Sequence, residues 1–545
     1  MIEKIFPKKI IYKQNAVVDE RIFTNISVQI ILGEPPLIEI APQGYVIFDF
    51  GEEMCGRVHI LCVDNAEGEI HVRLGESVAE TCAELGENGA GNYHSLRDCR
   101  LTILSNTDLT TNDSGFRFAR IDLLQGEKVS IKNVFVENKR LTLENEGYFS
   151  SNDEELNQIF DVAKRTLSLC VQNGVVWDGI KRDRAVWIGD FHPEFLSLAA
   201  IYGQLPEMEQ VLNQGEWYLT QNAWVNCIPS YSAWWIICLN DYYRHFDKKK
   251  YVSQKIQTVL KILSDFDGIV MSDGSVSYDD CKLKIYEENE FFFDWPTNFT
   301  KDSYYGWISL VLYACKEAEK LLSSFGADVS LVNSLIKRLS KNPIVNSSYK
   351  QVEAFQMLSG RKAPELVSEN LLKDGAQGMT GFMGYYILTA MAQSGADEQI
   401  LPIIKDFYGG MIACGATTFW EDFDVSWLND FPEGLEALPK ANARNIHRDY
   451  GKYCYKELRH SLCHGWTSGV IAFFTRTILG IKPVAPAYKK IQIKPKLLGL
   501  ESVQGKIITP YGEMFIKHNW VDGKIISEIK VPDGIEVDND ETDIY

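Results

Sequence analysis

The sequence predicts a multidomain chain: a central all-α (α/α)6 barrel flanked by N-terminal and C-terminal β-sandwich domains. Three observations predict it. The hydrophobic period changes from about two to about 3.6 near residue 150. It returns to about two near residue 484. Eleven of the twelve tryptophans fall between 177 and 466, and only Trp520 lies outside.

Residues 1–148 read as strands. Gly44–Phe50 and Gly56–Cys62 are short β-branched and aromatic runs, and Glu69–Leu74 alternates apolar and polar as a half-buried strand does. Phe116–Leu124 continues the pattern, and a sandwich is the natural packing of such runs. Residues 149–483 read as helices. Ser151, Asn152 and Asp153 offer N-caps, and Leu156, Ile159, Phe160, Ala163 and Leu167 follow at helical spacing. Apolar stripes recur near 194–204, 231–244, 251–265, 305–323, 328–340, 380–393, 397–408 and 462–479. This spacing predicts roughly ten to twelve helices, the number six helical hairpins around a funnel would need. No fixed-period repeat is visible, which disfavours a solenoid. Residues 484–545 return to strands: Lys489–Lys494 alternates, and Met514–His518 and Lys524–Lys530 flank the hairpin signal Val521-Asp522-Gly523. The acidic end from Asp538 to Asp543 reads as a frayed tail.

Composition excludes several classes. With 545 residues and 45% hydrophobic content the chain has ample core material. Its net charge of −19 argues against a phosphate-backbone binder and against docking on anionic lipid. No run of 18 apolar residues suggests a membrane span, and the first residues carry no signal-peptide pattern, so a cytoplasmic location is expected. The twelve cysteines include no C-x-x-C pair and read as unpaired thiols. No zinc-binding, dinucleotide or phosphate-loop motif is present, so neither a metal nor an organic cofactor is expected.

Four segments stand out. Trp177–Glu194 packs Asp178, Asp183, Asp190 and Glu194 among Trp177, Trp187, Arg182 and Arg184. Gly179, Gly189 and Pro193 disfavour a continuous helix there, so a structured loop is expected. Carboxylates beside indoles suit a sugar pocket, because carboxylates accept from vicinal hydroxyls and apolar walls raise a carboxyl toward general-acid use. An ion-pair network stiffening the loop is the plainer alternative. Gly415–Asp424 sets Glu421 between Trp420 and Phe423, as a general base acting on water or as part of a capping box with Thr418. Phe291–Pro296 offers Asp294 and Trp295 to a pocket rim, or is a core aromatic cluster. In Arg459–Trp466, His464 would reach a hydroxyl or carboxylate, or be a satisfied structural histidine. Cys463 beside it has no apparent partner for nucleophilic work.

Taken together, these segments resemble the α-L-rhamnosidases of glycoside hydrolase family 78. Phe48-Asp-Phe-Gly51 with Gly56-Arg-Val58 is similar to the family's "DFG…GRV". Asp178–Asp190 resembles its acid loop, Gly415–Glu421 its "GATTxWE", Ser461–His464 its "SLNH", Asp294-Trp295 its "DW" pair, and Pro486–Ile491 its "PGYKxI". The resemblance implies an inverting hydrolase that releases terminal α-L-rhamnose. Asp183 would be the general acid and Glu421 the general base. Asp178, Arg182, Trp187, Asp190, Asp294, Trp295, Trp420 and His464 would bind the carbohydrate. Gly179-Ile180 stands where one family variant has Cys-Pro, and Asp183 stands where it has Glu, with Glu194 as a backup acid. Another sugar-active toroid enzyme and a non-catalytic carbohydrate-binding homologue are the alternatives. A homodimer is compatible with the sequence, which leaves the oligomeric state open.

Overall fold

The computed structural model describes residues 2–23, 37–63, 68–286, 289–452 and 455–538, apart from the Ser368 side chain. Cys454 and the acidic stretch beyond Asp538 lie outside the described residues. The eleven described cysteines are unpaired.

Eight strands build the N-terminal sheet: β1 (Ile2–Ile5), β2 (Lys9–Val18), β3 (Ile38–Cys62), β4 (Gly68–Gly75), β5 (Asp98–Ile103), β6 (Asp108–Thr110), β7 (Ser114–Gln125) and β8 (Val129–Lys139). Its order is β1-β8-β3-β7-β4-β5, with β2 and β6 also paired to β3. The two runs expected around Gly44 and Gly56 form the single strand β3, interrupted where its register with β7 jumps between Asp49 and Met54. Val46, Phe48, Phe50, Val58 and Ile60 from this strand join Ile70, Val72, Phe116 and Ile121 in one buried cluster.

Ten α-helices of eight residues or more follow among the described residues, from Glu154–Cys170 to Asp397–Ile404. Asp153 caps the first, accepting from the backbone N–H groups of Glu155 and Leu156. Helices Pro206–Thr220 and Lys350–Leu358 have no counterpart among the expected stripes. In the second of these Lys350, Gln351, Glu353 and Gln356 are all buried beside Val352 and Phe355, so no apolar stripe marks the buried face. No helix among the described residues is long and apolar enough to cross a membrane.

Strands Ser502–Thr509, Gly512–Val521 and Lys524–Lys530 form an antiparallel sheet whose fourth member is Tyr148–Ser151, from the opposite end of the helical region. Asp522 and Gly523 join the last two strands with φ of 48° and 79°, and Val521 pairs Lys524. Positive φ at both positions is what a two-residue hairpin turn with the right twist requires.

The N-terminal sheet also grips the helical region. Buried Asp49 accepts from Arg117 Nε and Nη2 at 2.9 Å each, and Arg117 Nη1 donates to the Gly415 carbonyl. The Glu53 backbone N–H donates to Thr417 Oγ1 at 2.8 Å. The segment that leads to Glu421 is thereby fixed from below.

Candidate active site

Three segments far apart in sequence are joined by backbone hydrogen bonds. Gly465 N donates to Asp178 O at 2.7 Å, His464 N to Phe419 O at 2.9 Å, and Glu421 N to Ser461 O at 3.0 Å. Gly179 bridges His464. A Cβ at Gly179 would stand 2.9 Å from the Cys463 carbonyl, so only glycine lets the two strands approach this closely.

The acid-rich segment divides at Trp187. Residues 177–187 are loop, but helix Ile188–Tyr202 contains Gly189, Asp190, Pro193 and Glu194, which the sequence reading placed in the loop. Pro193 is the sixth residue of this helix, one turn past its start, and supplies no N–H to the Gly189 carbonyl. Asn226 takes over the capping that Trp187 does not supply: its Oδ1 accepts from Ile188 N, and its Nδ2 donates to Val186 O. Gly189 leaves room for the Tyr231 ring, whose hydroxyl donates to Asp190 Oδ1 at 3.2 Å.

Glu421 lies on no helix, and the capping-box alternative is not found. Thr418 Oγ1 donates instead to the Leu462 carbonyl. The Glu421 side chain is wholly buried. It accepts from Arg182 Nη2 through Oε1 and from Ser461 N through Oε2. Burial pushes its carboxyl up to about 7, against the pull of Arg182. Arg182 Nη1 donates to Asp183 Oδ1 at 3.0 Å, so one guanidinium joins the two carboxylates. Asp183 is more open, its side chain 22% exposed, and His94 Nε2 stands 3.5 Å away. Asp183 and Arg184 both have positive φ, 53° and 54°, a conformation uncommon for non-glycine residues and unfavourable for arginine.

His464 Nε2 faces three carboxylates: Glu421 at 3.4 Å, Asp178 at 3.8 Å and Asp190 at 3.9 Å. Burial, with Arg182 nearby, holds its imidazole well below the usual histidine range, and its buried Nδ1 has no hydrogen-bond partner among the described residues. Burial raises Asp178, Asp190 and Glu194 well above ordinary carboxyls, and neighbouring acids add to it. Glu194 lies one turn beyond Asp190, fully buried. Trp187 meets Tyr231 edge-on at 6.2 Å. Trp295 meets Tyr455 edge-on at 5.3 Å, and the Arg182 guanidinium lies 4.4 Å over the Tyr455 ring.

Asp294 and Trp420 sit differently from the other candidates. Asp294 is buried and accepts from Trp295 N, Gln351 Nε2 and Thr380 Oγ1, with burial raising it to about 7. Trp420 is 1% exposed and packs its ring on Phe423 and His460. Cys463 lies with Cys55 and Cys170 in an apolar cluster, its thiol raised by burial, as suits a small core side chain. Tyr455 and His94 complete the site without having been singled out in the sequence, whereas Ser461 opens the Ser461–His464 motif.

Behind the site, Glu76 accepts from Leu462 N at 2.7 Å and from Ser461 Oγ at 3.3 Å. Glu76, Glu80 and His447 bring ligand atoms within 4.8 Å of one another. Lys181 Nζ reaches all three, at 3.0, 3.2 and 3.5 Å, and so supplies the positive charge a cation would otherwise bring.

Residues 480–538 match the bacterial alpha-L-rhamnosidase C-terminal domain family. No curated protein matches the chain. Among the solved structures similar over most of it are three rhamnosidases. The family 78 rhamnosidase of Bacillus sp. GL1 aligns with a TM-score of 0.72 at 18% identity, over 93% of this chain and 53% of its own. The rhamnosidase from Klebsiella oxytoca, with rhamnose bound, aligns at 0.67 and 18%, over 87% and 95%. The alpha-L-rhamnosidase from Aspergillus terreus aligns at 0.70 and 15%, over 92% and 61%. The chain thus spans about half of the Bacillus enzyme and shares the multidomain fold of helices and sheets of these rhamnosidases, which it resembles along nearly its whole length.

Proposed function

We propose that the protein is an inverting α-L-rhamnosidase. The observation that carries this reading is the Arg182 guanidinium held between buried Glu421 and the more open Asp183. In an inverting hydrolase one carboxylic acid protonates the leaving oxygen while a carboxylate on the opposite face activates water. Asp183, nearer solvent, protonates the glycosidic oxygen as the bond to C1 breaks. Glu421 takes the proton of the water that attacks C1 from the other side. Arg182 and Ser461 N favour the ionised form of Glu421 that a base needs.

Asp178, Asp190 and His464 hold the sugar hydroxyls, with Tyr231 fixing Asp190. Trp187 and Trp295 offer apolar faces to the C6 methyl of rhamnose, and Trp420 supports Glu421 from behind. The Klebsiella oxytoca relative has rhamnose bound, which supports this sugar as substrate. Residues 149–483 then form the catalytic (α/α)6 barrel, with β-sandwich domains at 1–148 and 484–545.

Incubation with a panel of 4-nitrophenyl glycosides across pH 4–8 tests the proposal. Release of nitrophenol from the α-L-rhamnoside alone is expected. Release from a different glycoside would redirect the reading to another sugar. Rhamnose binding without release from any would leave a non-catalytic binder.

A further inference from the structure

A cavity of about 520 Å³ opens beside Asp183, against the N-terminal sheet. Arg57, Tyr93, His94, Leu96, Asn112 and Arg184 form most of its wall. His94 Nε2 is 3.5 Å from Asp183 Oδ1, and Arg184 follows Asp183 in the chain, so cavity and acid share a wall. Of the two carboxyls, the one beside the cavity is the more open: the Glu421 side chain has no exposure, and that of Asp183 has 22%. When an acid protonates a glycosidic oxygen, the departing group lies on the acid's side, away from the base. Here that side is this cavity.

The wall is polar and carries an excess of positive charge. Arg57, 39% exposed, gives its Nε to Asp113 Oδ1 at 2.8 Å. Arg184 donates to the Asp113 backbone carbonyl and lies 4.7 Å over the Trp177 ring. Asp113 also lines the cavity, and its carboxylate is taken up by Arg57 and by Lys139 behind it, while Arg184 meets only its backbone carbonyl. Tyr93, 75% exposed, offers a ring face, and Leu96 is the one aliphatic side chain in the wall. An apolar aglycone would find little to bury against. A sugar would find hydrogen-bonding groups and one stacking surface, and a carboxylate would find guanidinium groups suited to two-point contact.

We propose that this cavity is the leaving-group site and that it selects a uronic acid as the sugar to which rhamnose is attached. The proposal rests on the rhamnosidase reading above. Arg57 and Arg184 bind the uronate carboxylate, Tyr93 stacks on the ring, and Asn112 meets its hydroxyls.

The test compares kcat/KM for three substrates: 4-nitrophenyl α-L-rhamnoside, an α-L-rhamnosyl-D-glucuronic acid disaccharide, and the methyl ester of that disaccharide. The acid is expected to exceed the ester by about tenfold, the effect of one charge-assisted contact. Arg57→Gln should lower that ratio, with Arg184 still in place. Equal turnover of acid and ester by the native protein, with the nitrophenyl rhamnoside also cleaved, would overturn the uronate proposal and leave the rhamnosidase reading standing. An unchanged ratio in a folded Arg57→Gln protein would overturn the role of Arg57. Cleavage of none of the three would remove the rhamnosidase reading and this proposal with it. The native comparison needs no variant, so it decides even where Arg57→Gln does not fold.

Discussion

Arg182 and Glu421 are 239 residues apart in sequence and share a buried hydrogen bond, Nη2 to Oε1, with the other arm of the guanidinium on Asp183. Burial alone would favour a neutral Glu421, and the cation beside it restores part of the charged form.

Removing that cation should therefore change the pH profile as well as the rate. Arg182→Gln is expected to lower kcat/KM on 4-nitrophenyl α-L-rhamnoside by about a hundredfold, the scale of a disabled general base. It should also move the acidic limb of the profile above its native position near 7, because Glu421 loses the charge that pulls it down. A lower rate with an unmoved limb would show that Arg182 does not act through Glu421.

Asp183→Asn and Glu421→Gln each remove one partner of the proposed acid–base pair. Each should reduce turnover by about 10²–10⁴-fold while thermal unfolding stays cooperative. Near-native turnover in either variant would take that residue out of the mechanism.

The same pKa makes a stability prediction. The folded Glu421 carboxyl, at about 7, is raised above its ordinary 4.5, so its favourable contribution is fully present below pH 4.5 and is lost as pH rises through 7. Glu421→Gln cannot ionise and escapes this loss. Its stability relative to the native protein should rise by about 3 kcal/mol between pH 4.5 and 8. Denaturant unfolding at both pH values checks this, and a constant difference would contradict the raised pKa.

Glu76, one residue past β4, reaches Leu462 N, Ser461 Oγ and Lys181 Nζ. Glu76→Leu leaves the buried lysine with less compensation and frees the segment that holds Glu421. A loss of about 3–5 kcal/mol is expected, the usual cost of breaking a buried pair from one side. Urea unfolding measures it, and a change below about 1 kcal/mol would mean the network is dispensable.

Much of this arrangement was legible because it is periodic or local. The alternation in Lys489–Lys494, the Asp522-Gly523 turn and the Asp153 cap announce their structure within a few residues, and that in Glu69–Leu74 announces a strand but not its burial, since His71 and Arg73 on its polar face are buried as well. Asp183 and Glu421 stand in short motifs that also read locally. The illegible parts are those decided by packing. Gly189 and Pro193 look like helix breakers, yet the helix begins at Ile188 because Asn226 caps it from another segment. Lys350–Leu358 hides its helix by burying polar side chains. Tyr455 joins the site through an arginine more than 270 residues earlier, and no local signal marks it.

The most direct test of the central proposal is the anomer released first. Proton NMR should follow cleavage of 4-nitrophenyl α-L-rhamnoside from the first minutes, before mutarotation equilibrates the free sugar. Glu421 acting on water from the face opposite Asp183 predicts β-L-rhamnose as the initial product. Initial α-L-rhamnose would mean retention through a covalent intermediate and would contradict the assignment of Glu421 as a general base.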